Sequence, residues 1–223
     1  MGLGAEEDDM FVKHKMTTNP FTVTADRSIP DALSVMNEHG VRHLPVVDGR
    51  RVVGVISRND IAAASPSKAT TLSAQEATYL LAKLTVAKVM SRPPVVVSPD
   101  ALLEEAAVML RDRKIEMLPV VEGDELIGVI TESDILDAFI DLLGFRDQGT
   151  RLTIEAKDEP GVLSRLTAIT ADHQANIQHV AVHRGFLDKS VVVVGLNTPN
   201  TEAIEEDLSS AGMRILARRV NRI

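Results

Sequence analysis

The chain has 223 residues, 44% of them hydrophobic, which is enough apolar surface to form a sizeable core. It contains no cysteine, which excludes disulfide bonds, thiolate metal sites and cysteine nucleophiles. A net charge of −8 and an aromatic content of 3% argue against nucleic acid and anionic membranes as partners, since binding them requires a basic face or stacking side chains. Small molecules and proteins remain as candidate partners.

The N-terminal segment MGLGAEEDD (residues 1–9) is acidic and lacks the apolar region of a signal peptide. No apolar stretch approaches the roughly 20 residues that a membrane-spanning helix needs. We therefore expect a cytoplasmic protein, with residues 1–9 forming a disordered tail or representing a cloning remnant.

Residues 10–64 are predicted to form a β-α-β-β-α unit. FTVT (21–24) is a short extended piece, and PDALSVMNEHG (30–40) has helical periodicity. The runs LPVVD and VVGVIS surround the turn DGR as the strands of a hairpin. A second helix then starts near IAAA (61–64).

Residues 65–88 are predicted to form a linker helix. Ser73 and Glu76 have the spacing of a capping box, and an apolar stripe follows at Ala77, Leu80, Leu81 and Leu84. The stripe is suited to core packing, and docking of a partner or second subunit is the alternative.

Residues 89–145 repeat the first unit. A shift of 74 residues places 16–61 on 90–135 without a gap, with 15 identities in 46 positions. VVVS (95–98), LLEEAAVMLRDRK (102–114), LPVVE, LIGVIT and ILDAFIDLLG (135–144) give the same element order. A repeated unit of this kind indicates two copies of one supersecondary structure.

Residues 150–223 follow a different pattern. RLTIEA, NIQHVAVHR, KSVVVVGL and MRILARRV are predicted strands, and the segments 161–174 and 201–212 have helical spacing. The resulting order βαββαβ is that of a ferredoxin-like domain. The whole chain is therefore predicted to be α/β (α+β), with a paired β-α-β-β-α module followed by a ferredoxin-like domain.

These patterns resemble two known families. The doubled LPVV, Gly, GVI and S/T-x-x-D pattern resembles a tandem pair of CBS motifs, a Bateman module. The βαββαβ order with the turn DEPGVL (158–163) resembles an ACT domain. The combination is similar to the AcuB-type acetoin-utilisation proteins, which implies a regulatory protein without a catalytic domain.

The S/T-x-x-D motif has two interpretations. Ser57 with Asp60, and Thr131 with Asp134, have the spacing of helix-capping boxes, which require no ligand. A helix N-terminus also suits a phosphate, and a nearby carboxylate can accept hydrogen bonds from ribose hydroxyls. The resemblance implies that these residues bind an adenosine-containing ligand: ATP, ADP, AMP or S-adenosylmethionine.

The predicted nucleotide-binding set contains residues from both copies. It comprises Thr24, Arg42, His43, Ser57, Arg58, Asp60, Ser98, Glu116, Met117, Thr131 and Asp134. Arg58, Arg42 and His43 in the first copy correspond to Glu132, Glu116 and Met117 in the second. Because cations favour polyphosphates and acids repel them, we expect the Asp60 pocket to prefer ATP, ADP or AMP. The Asp134 pocket is expected to stay empty or to take a less anionic ligand such as S-adenosylmethionine. Exposure of these charged side chains on solvated faces is the alternative.

The resemblance to ACT domains also implies an amino-acid site and homodimerisation. Its residues would be Asp158, Gly161, Val162, Asn176 and Ile177, although Pro160-Gly161 is equally an ordinary strand-to-helix turn.

An enzyme or metal site is not expected. His179 and His183 lie about 13 Å apart along the predicted strand, too far for one metal ion, and no nucleotide-hydrolysing, zinc-protease or serine-hydrolase motif is present. We therefore expect a homodimeric sensor that controls an unidentified protein. A constitutive assembly protein and an amino-acid sensor acting through the ACT domain are the alternatives.

Overall fold

The computed structural model describes residues 10–65, 74–185 and 188–221. The chain divides into two compact units after Leu136. Within the described residues, no helix combines the length and apolar character needed to cross a membrane. The mixed α/β composition and the two separate sheets confirm the predicted fold class.

The first unit contains the paired repeat. Its elements are α1 (Val12–Lys15), β1 (Thr17–Thr18), β2 (Val23–Thr24), α2 (Ile29–Glu38), β3 (His43–Asp48), β4 (Arg51–Ser57), α3 (Arg58–Ala64), α4 (Ala74–Ala82), α5 (Val86–Val89), α6 (Leu103–Arg113), β5 (Met117–Glu122), β6 (Glu125–Thr131) and the start of α7 (Glu132–Leu142).

The two hairpins follow the 74-residue shift residue by residue. In β3–β4, His43 pairs with Ser57 and Leu44 with Ile56, and in β5–β6, Met117 pairs with Thr131. The hairpins therefore place each S/T-x-x-D turn at the end of a strand, beside the first residue of its partner strand.

Each copy also contributes its N-terminal segment to the hairpin of the other. Strand β1 of the first copy pairs with β6 of the second, and Ser91 of the second copy forms a bridge with Val55 of the first. A Cβ atom at Gly54 would lie 2.7 Å from Met90 Sδ, and one at Gly128 would lie 2.7 Å from Met16 Sδ. Glycine at these two positions is what allows the segments to cross.

The core of the first copy is formed by buried side chains of α2, β3 and β4. They include Ile29, Met36, Leu44, Val46 and Ile56, and the partly buried Leu81 and Leu84 from the linker region pack against them. Tyr79 and Leu80 of α4 are exposed. The predicted capping residue Ser73 lies outside the described residues.

The second unit contains the predicted ferredoxin-like arrangement. Its elements are the remainder of α7, β7 (Gly149–Lys157), α8 (Val162–Asp172), β8 (Ile177–Arg184), β9 (Lys189–Leu196), α9 (Glu202–Ser210) and β10 (Arg214–Asn221). The antiparallel sheet has the order β10-β7-β9-β8, so that β8 and β10 are its edges. Leu152, Ile154, Val192 and Val194 form its core with Leu166 of α8 and Leu208 of α9.

Candidate functional site

The first S/T-x-x-D turn is a complete capping box at the start of α3. The backbone N–H of Asp60 donates to Ser57 Oγ at 3.0 Å. The backbone N–H and the hydroxyl of Ser57 both donate to Asp60 Oδ2, at 2.8 and 2.6 Å. The helix-cap interpretation is therefore correct for this turn.

The second turn repeats this arrangement at the start of α7. The backbone N–H and the hydroxyl of Thr131 both donate to Asp134 Oδ2 at 2.8 Å, and the N–H of Asp134 donates to Thr131 Oγ1 at 3.4 Å. In both copies the same carboxylate oxygen receives both capping hydrogen bonds.

The second oxygen of each aspartate is available. Oδ1 of Asp60 and Oδ1 of Asp134 accept no hydrogen bond from the described residues. Both side chains are partly buried and line cavities. Capping and ligand binding are therefore compatible, because each would use a different oxygen of the carboxylate.

The first cavity, which we term the Asp60 cavity, has a volume of about 300 Å³. Residues of both copies line it: His43, Val55, Ser57, Asn59 and Asp60 from the first, and Ser91, Pro93, Pro94, Val95, Lys114, Ile115, Glu116 and Met117 from the second. The cavity therefore exists only where the two copies meet.

The second cavity, which we term the Asp134 cavity, has a volume of about 360 Å³. Its lining is Thr17, Asn19, Pro20, Phe21, Gly40, Val41, Arg42, His43, Pro45, Glu116, Met117, Val129, Thr131, Glu132, Ser133, Asp134 and Leu136. Many of these residues are the 74-residue equivalents of the Asp60 cavity lining.

Three side chains, His43, Glu116 and Met117, line both cavities, and we term them the shared wall. Glu116 Oε2 lies 3.6 Å from His43 Nε2 and 3.9 Å from Arg42 Nη1. Burial is the largest cause that lowers the pKa of His43; the Glu116 carboxylate opposes this change and Arg42 adds to it. The wall thus contains an imidazole whose proton affinity is reduced by its surroundings.

The structure places the predicted arginines differently from the sequence interpretation. Arg58 does not line the Asp60 cavity, because its Nη2 donates to Asn37 Oδ1 at 2.7 Å and its Nε to the carbonyl of Val41 at 3.4 Å. Arg42 lines the Asp134 cavity, not the Asp60 cavity. Neither cation therefore lines the Asp60 cavity in this structure, and their role in nucleotide binding stays a prediction.

Thr24 and Ser98 also line neither cavity. The Thr24 hydroxyl donates to Asp26 Oδ1 at 2.5 Å, a hydrogen bond that is the main reason for the lowered pKa of Asp26. Ser98 Oγ accepts from the backbone N–H of Asp100 at 3.2 Å. Both hydroxyls serve local turns in this structure, and their role in nucleotide binding stays a prediction.

The predicted amino-acid residues lie on the turn before α8 and at the start of β8. The backbone N–H of Asp158 donates to the Asp188 carbonyl, and Asn176 exchanges hydrogen bonds with Asn197 through its own N–H and C=O. Gly161 adopts φ 91°, the Val162 side chain is buried, and Ile177 pairs with Leu196. Much of the backbone hydrogen-bonding capacity that an amino acid would need is therefore used internally, and the site stays a prediction.

Two of the three histidines of the second unit lie beside acids. His179 Nε2 lies 2.5 Å from Asp147 Oδ2, and His173 Nε2 lies 2.8 Å from Asp207 Oδ2. The part of the chain that the structure describes contains no cluster of three potential metal ligands.

Several lining residues are absent from the predicted set. Three of them are the most informative. Lys114 brings a positive charge and Asn59 an amide to the Asp60 cavity, and Phe21 brings an aromatic ring to the Asp134 cavity. Asn59 lies inside the motif itself, and Lys114 takes the place of Gly40 in the repeat alignment. Both positions were visible in the sequence as differences between the copies.

Comparison with known proteins assigns the repeats. Residues 11–67 and 86–141 match the CBS domain, and these two segments make up about half of the chain. The chain therefore belongs to the CBS-domain family. Residues 150–212 match the ACT domain, so the protein is a tandem CBS protein with a C-terminal ACT domain.

Two curated relatives illustrate the similarity. Inosine-5'-monophosphate dehydrogenase of Korarchaeum cryptofilum is 29% identical over 201 residues, which are 84% of this chain and 39% of that protein. The CBS domain-containing protein YhcV of Bacillus subtilis is 31% identical over 124 residues, which are 56% of this chain and 81% of YhcV. The chain thus spans about two fifths of the dehydrogenase.

Two solved structures share the fold. An acetoin utilization protein (AcuB) of Vibrio cholerae has 32% identity and a TM-score of 0.51, covering 62% of this chain and 96% of its own. The structure of CBSX2 in complex with AMP has 31% identity and a TM-score of 0.52, covering 60% of this chain and 98% of its own.

Proposed function

We propose that the protein is a non-catalytic regulator that binds adenosine-containing ligands in the Asp60 and Asp134 cavities and thereby controls a partner protein. The main support for this proposal is that each capping aspartate lines a cavity and keeps one carboxylate oxygen that accepts no hydrogen bond from the described residues. A carboxylate oxygen in this position is suited to accept hydrogen bonds from ribose hydroxyls.

The remaining lining fits a nucleoside. Val55, Pro94 and Ile115 give the Asp60 cavity apolar walls for a base, and Val41, Pro45 and Val129 do so in the Asp134 cavity. Volumes of about 300 and 360 Å³ lie at the small end of the range for small-molecule sites, which favours a mononucleotide or nucleoside over a dinucleotide. The AMP complex of the similar protein CBSX2 supports this ligand class.

The second unit is proposed to form the homodimer and to integrate the signal. Strand β8 is an edge of the sheet, and its Val180 and Val182 side chains are 53% and 50% exposed. An exposed apolar edge strand is a template for pairing with a second copy. We also propose the domain division 10–64, 65–88, 89–145 and 150–223. A role in acetoin or related carbon metabolism is supported by the similarity to the Vibrio cholerae protein.

Isothermal titration calorimetry with AMP, ADP, ATP, adenosine and S-adenosylmethionine tests the ligand sites. In Asp60→Asn and Asp134→Asn the amide oxygen can keep the cap, while an NH₂ group replaces the oxygen available to ribose. A hydrogen bond to a charged group contributes roughly 1.5–3 kcal/mol, so each variant is expected to lose about tenfold or more in affinity at its own cavity.

Asp31→Asn is the matched control. Asp31 forms the same capping box with Ser28, and it lines neither the Asp60 nor the Asp134 cavity. The proposal requires that Asp31→Asn leaves ligand affinity within about twofold of the parent chain. Absence of binding heat with all five ligands, or equal losses in all three variants, would contradict it. Co-purification with and without AMP then tests control of a partner.

A further inference from the structure

Lys114 has an unusual backbone conformation. It ends α6 with φ 54° and ψ 45°, the left-handed region that residues with a side chain rarely adopt. Its equivalent in the first copy is Gly40, which ends the corresponding turn after α2 with φ 67°. The second copy thus has a strained lysine where the first has an unstrained glycine.

The strained residue lies at a cavity. Lys114 lines the Asp60 cavity, and its exposed side chain forms no ion pair with any residue that the structure describes. Gly40 lines the Asp134 cavity at the equivalent position, without a side chain. Strained backbone conformations cluster at active sites and ligand clamps, so the conformation of Lys114 indicates a functional role for this residue.

The charges of the two cavity linings also make the Asp60 cavity the more favourable one for an anion. Among the described lining residues, the Asp60 cavity has one cation, Lys114, against the carboxylates of Asp60 and Glu116. The Asp134 cavity has one cation, Arg42, against Glu116, Glu132 and Asp134.

Ion pairing increases this difference. Arg42 lies 3.9 Å from Glu116, so that the charge of this cation is offset within the shared wall. Lys114 therefore remains available to an anion in the Asp60 cavity, whereas Glu132 and Asp134 repel an anion in the other.

We propose that Lys114 determines ligand selectivity: it directs phosphate-bearing adenosine ligands to the Asp60 cavity and leaves the Asp134 cavity to ligands that lack a phosphate. The inference rests on the proposed function, because it assigns ligand classes to those two cavities. An ammonium group on a flexible chain is suited to a terminal phosphate, as it needs no fixed geometry. The alternative role of Lys114 is to interact with the C-terminal carbonyls of α6.

The test exchanges the two equivalent residues. Lys114→Gly removes the ammonium and relieves the strained backbone, so the variant is expected to fold. Gly40→Lys introduces an ammonium at the equivalent position of the Asp134 cavity, where a Cβ atom would have no heavy atom within 4 Å; its φ of 67° imposes on the new lysine the same backbone strain that Lys114 carries. AMP and adenosine serve as probes in the full-length chain, with Asp134→Asn or Asp60→Asn included to isolate one cavity at a time.

In the Asp134→Asn background, Lys114→Gly is expected to lower AMP affinity about tenfold more than adenosine affinity, and Lys114→Arg is expected to retain the preference for AMP. In the Asp60→Asn background, Gly40→Lys is expected to raise AMP affinity several-fold relative to adenosine. The preference for AMP that depends on Lys114 is expected to decrease with ionic strength.

Equal changes for AMP and adenosine in Lys114→Gly would overturn the selectivity role while leaving the ligand sites in place. An unchanged preference in Gly40→Lys would also overturn it. If neither AMP nor adenosine binds to the parent chain, the proposed function and this inference both fail.

Discussion

Replacing Gly54 by alanine is expected to destabilise the first unit where the two copies cross. The added Cβ would lie 2.7 Å from Met90 Sδ and 3.0 Å from the backbone oxygen of Ser91. Cβ atoms in proteins almost never approach another heavy atom to less than 3.0 Å, and contacts of 3.0–3.4 Å are rare, so both contacts are too close. The Met90 side chain can rotate away, but the Ser91 oxygen is held by the N–H of Val55 at 3.1 Å.

Overpacking of this kind costs about 1–3 kcal/mol, and we expect Gly54→Ala to lower the free energy of unfolding by that amount. A double-mutant cycle with Met90→Ala measures how much of the cost comes from the sulfur contact. In that background the cost of Gly54→Ala is expected to fall by about 1 kcal/mol, leaving the Ser91 contact. Urea unfolding followed by far-UV circular dichroism gives all four free energies.

Gly128→Ala provides an internal replicate, because its Cβ would meet Met16 and the Thr17 oxygen at the same distances. A cost below about 0.5 kcal/mol at Gly54, which is typical of surface substitutions, would refute the close-packing argument. An unchanged cost in the Met90→Ala background would show that the sulfur contact is not its source.

Two further predictions concern pH and assembly. Burial lowers the pKa of His43 in the folded protein below the value of 6.5 from which it shifts, so the unfolded chain takes up the proton more readily. The free energy of unfolding should therefore fall as the pH drops through 6.5 toward the folded pKa, by at most about 1.4 kcal/mol per pH unit. Urea titrations of His43→Gln should lack this pH dependence. A parent-minus-variant difference that is flat over this window would contradict the assignment. Val180→Lys on β8 should convert the proposed dimer to monomers in analytical ultracentrifugation, whereas Leu163→Lys, a change at an exposed leucine of α8, should not. Dimerisation of both variants, or a monomeric parent chain, would contradict the proposed β8 interface.

Much of the fold could be predicted because the information is local. Alternating apolar residues and the DGR and EGD turns define the hairpins, and the 74-residue shift relates the two copies. The crossing of Met16 onto Gly128 was not predicted, because it depends on packing between residues far apart in sequence. The short helices α1 and α5 were missed since four residues are too few to show a period.

The candidate site was predicted in part for a similar reason. The capping role of Asp60 and Asp134 was predicted correctly because it depends on spacing along the chain, whereas their ligand-binding role stays a prediction. That Arg58 does not line the Asp60 cavity could not be predicted, because the direction of its side chain is set by a hydrogen bond to Asn37 on another helix. A long side chain at a known backbone position can reach several places, and only its neighbours determine which of them it takes.

The shared wall makes the two cavities thermodynamically dependent on each other. His43, Glu116 and Met117 line both cavities, so an occupant of one cavity that moved these side chains or changed their charge would change the other cavity as well. By linkage, if the first ligand changes the affinity for the second by some factor, the second ligand changes the affinity for the first by the same factor. With a ligand in each cavity, as proposed, the 74-residue duplication would act as one two-site receptor, whose response depends on the ratio of two ligand concentrations as well as on their levels.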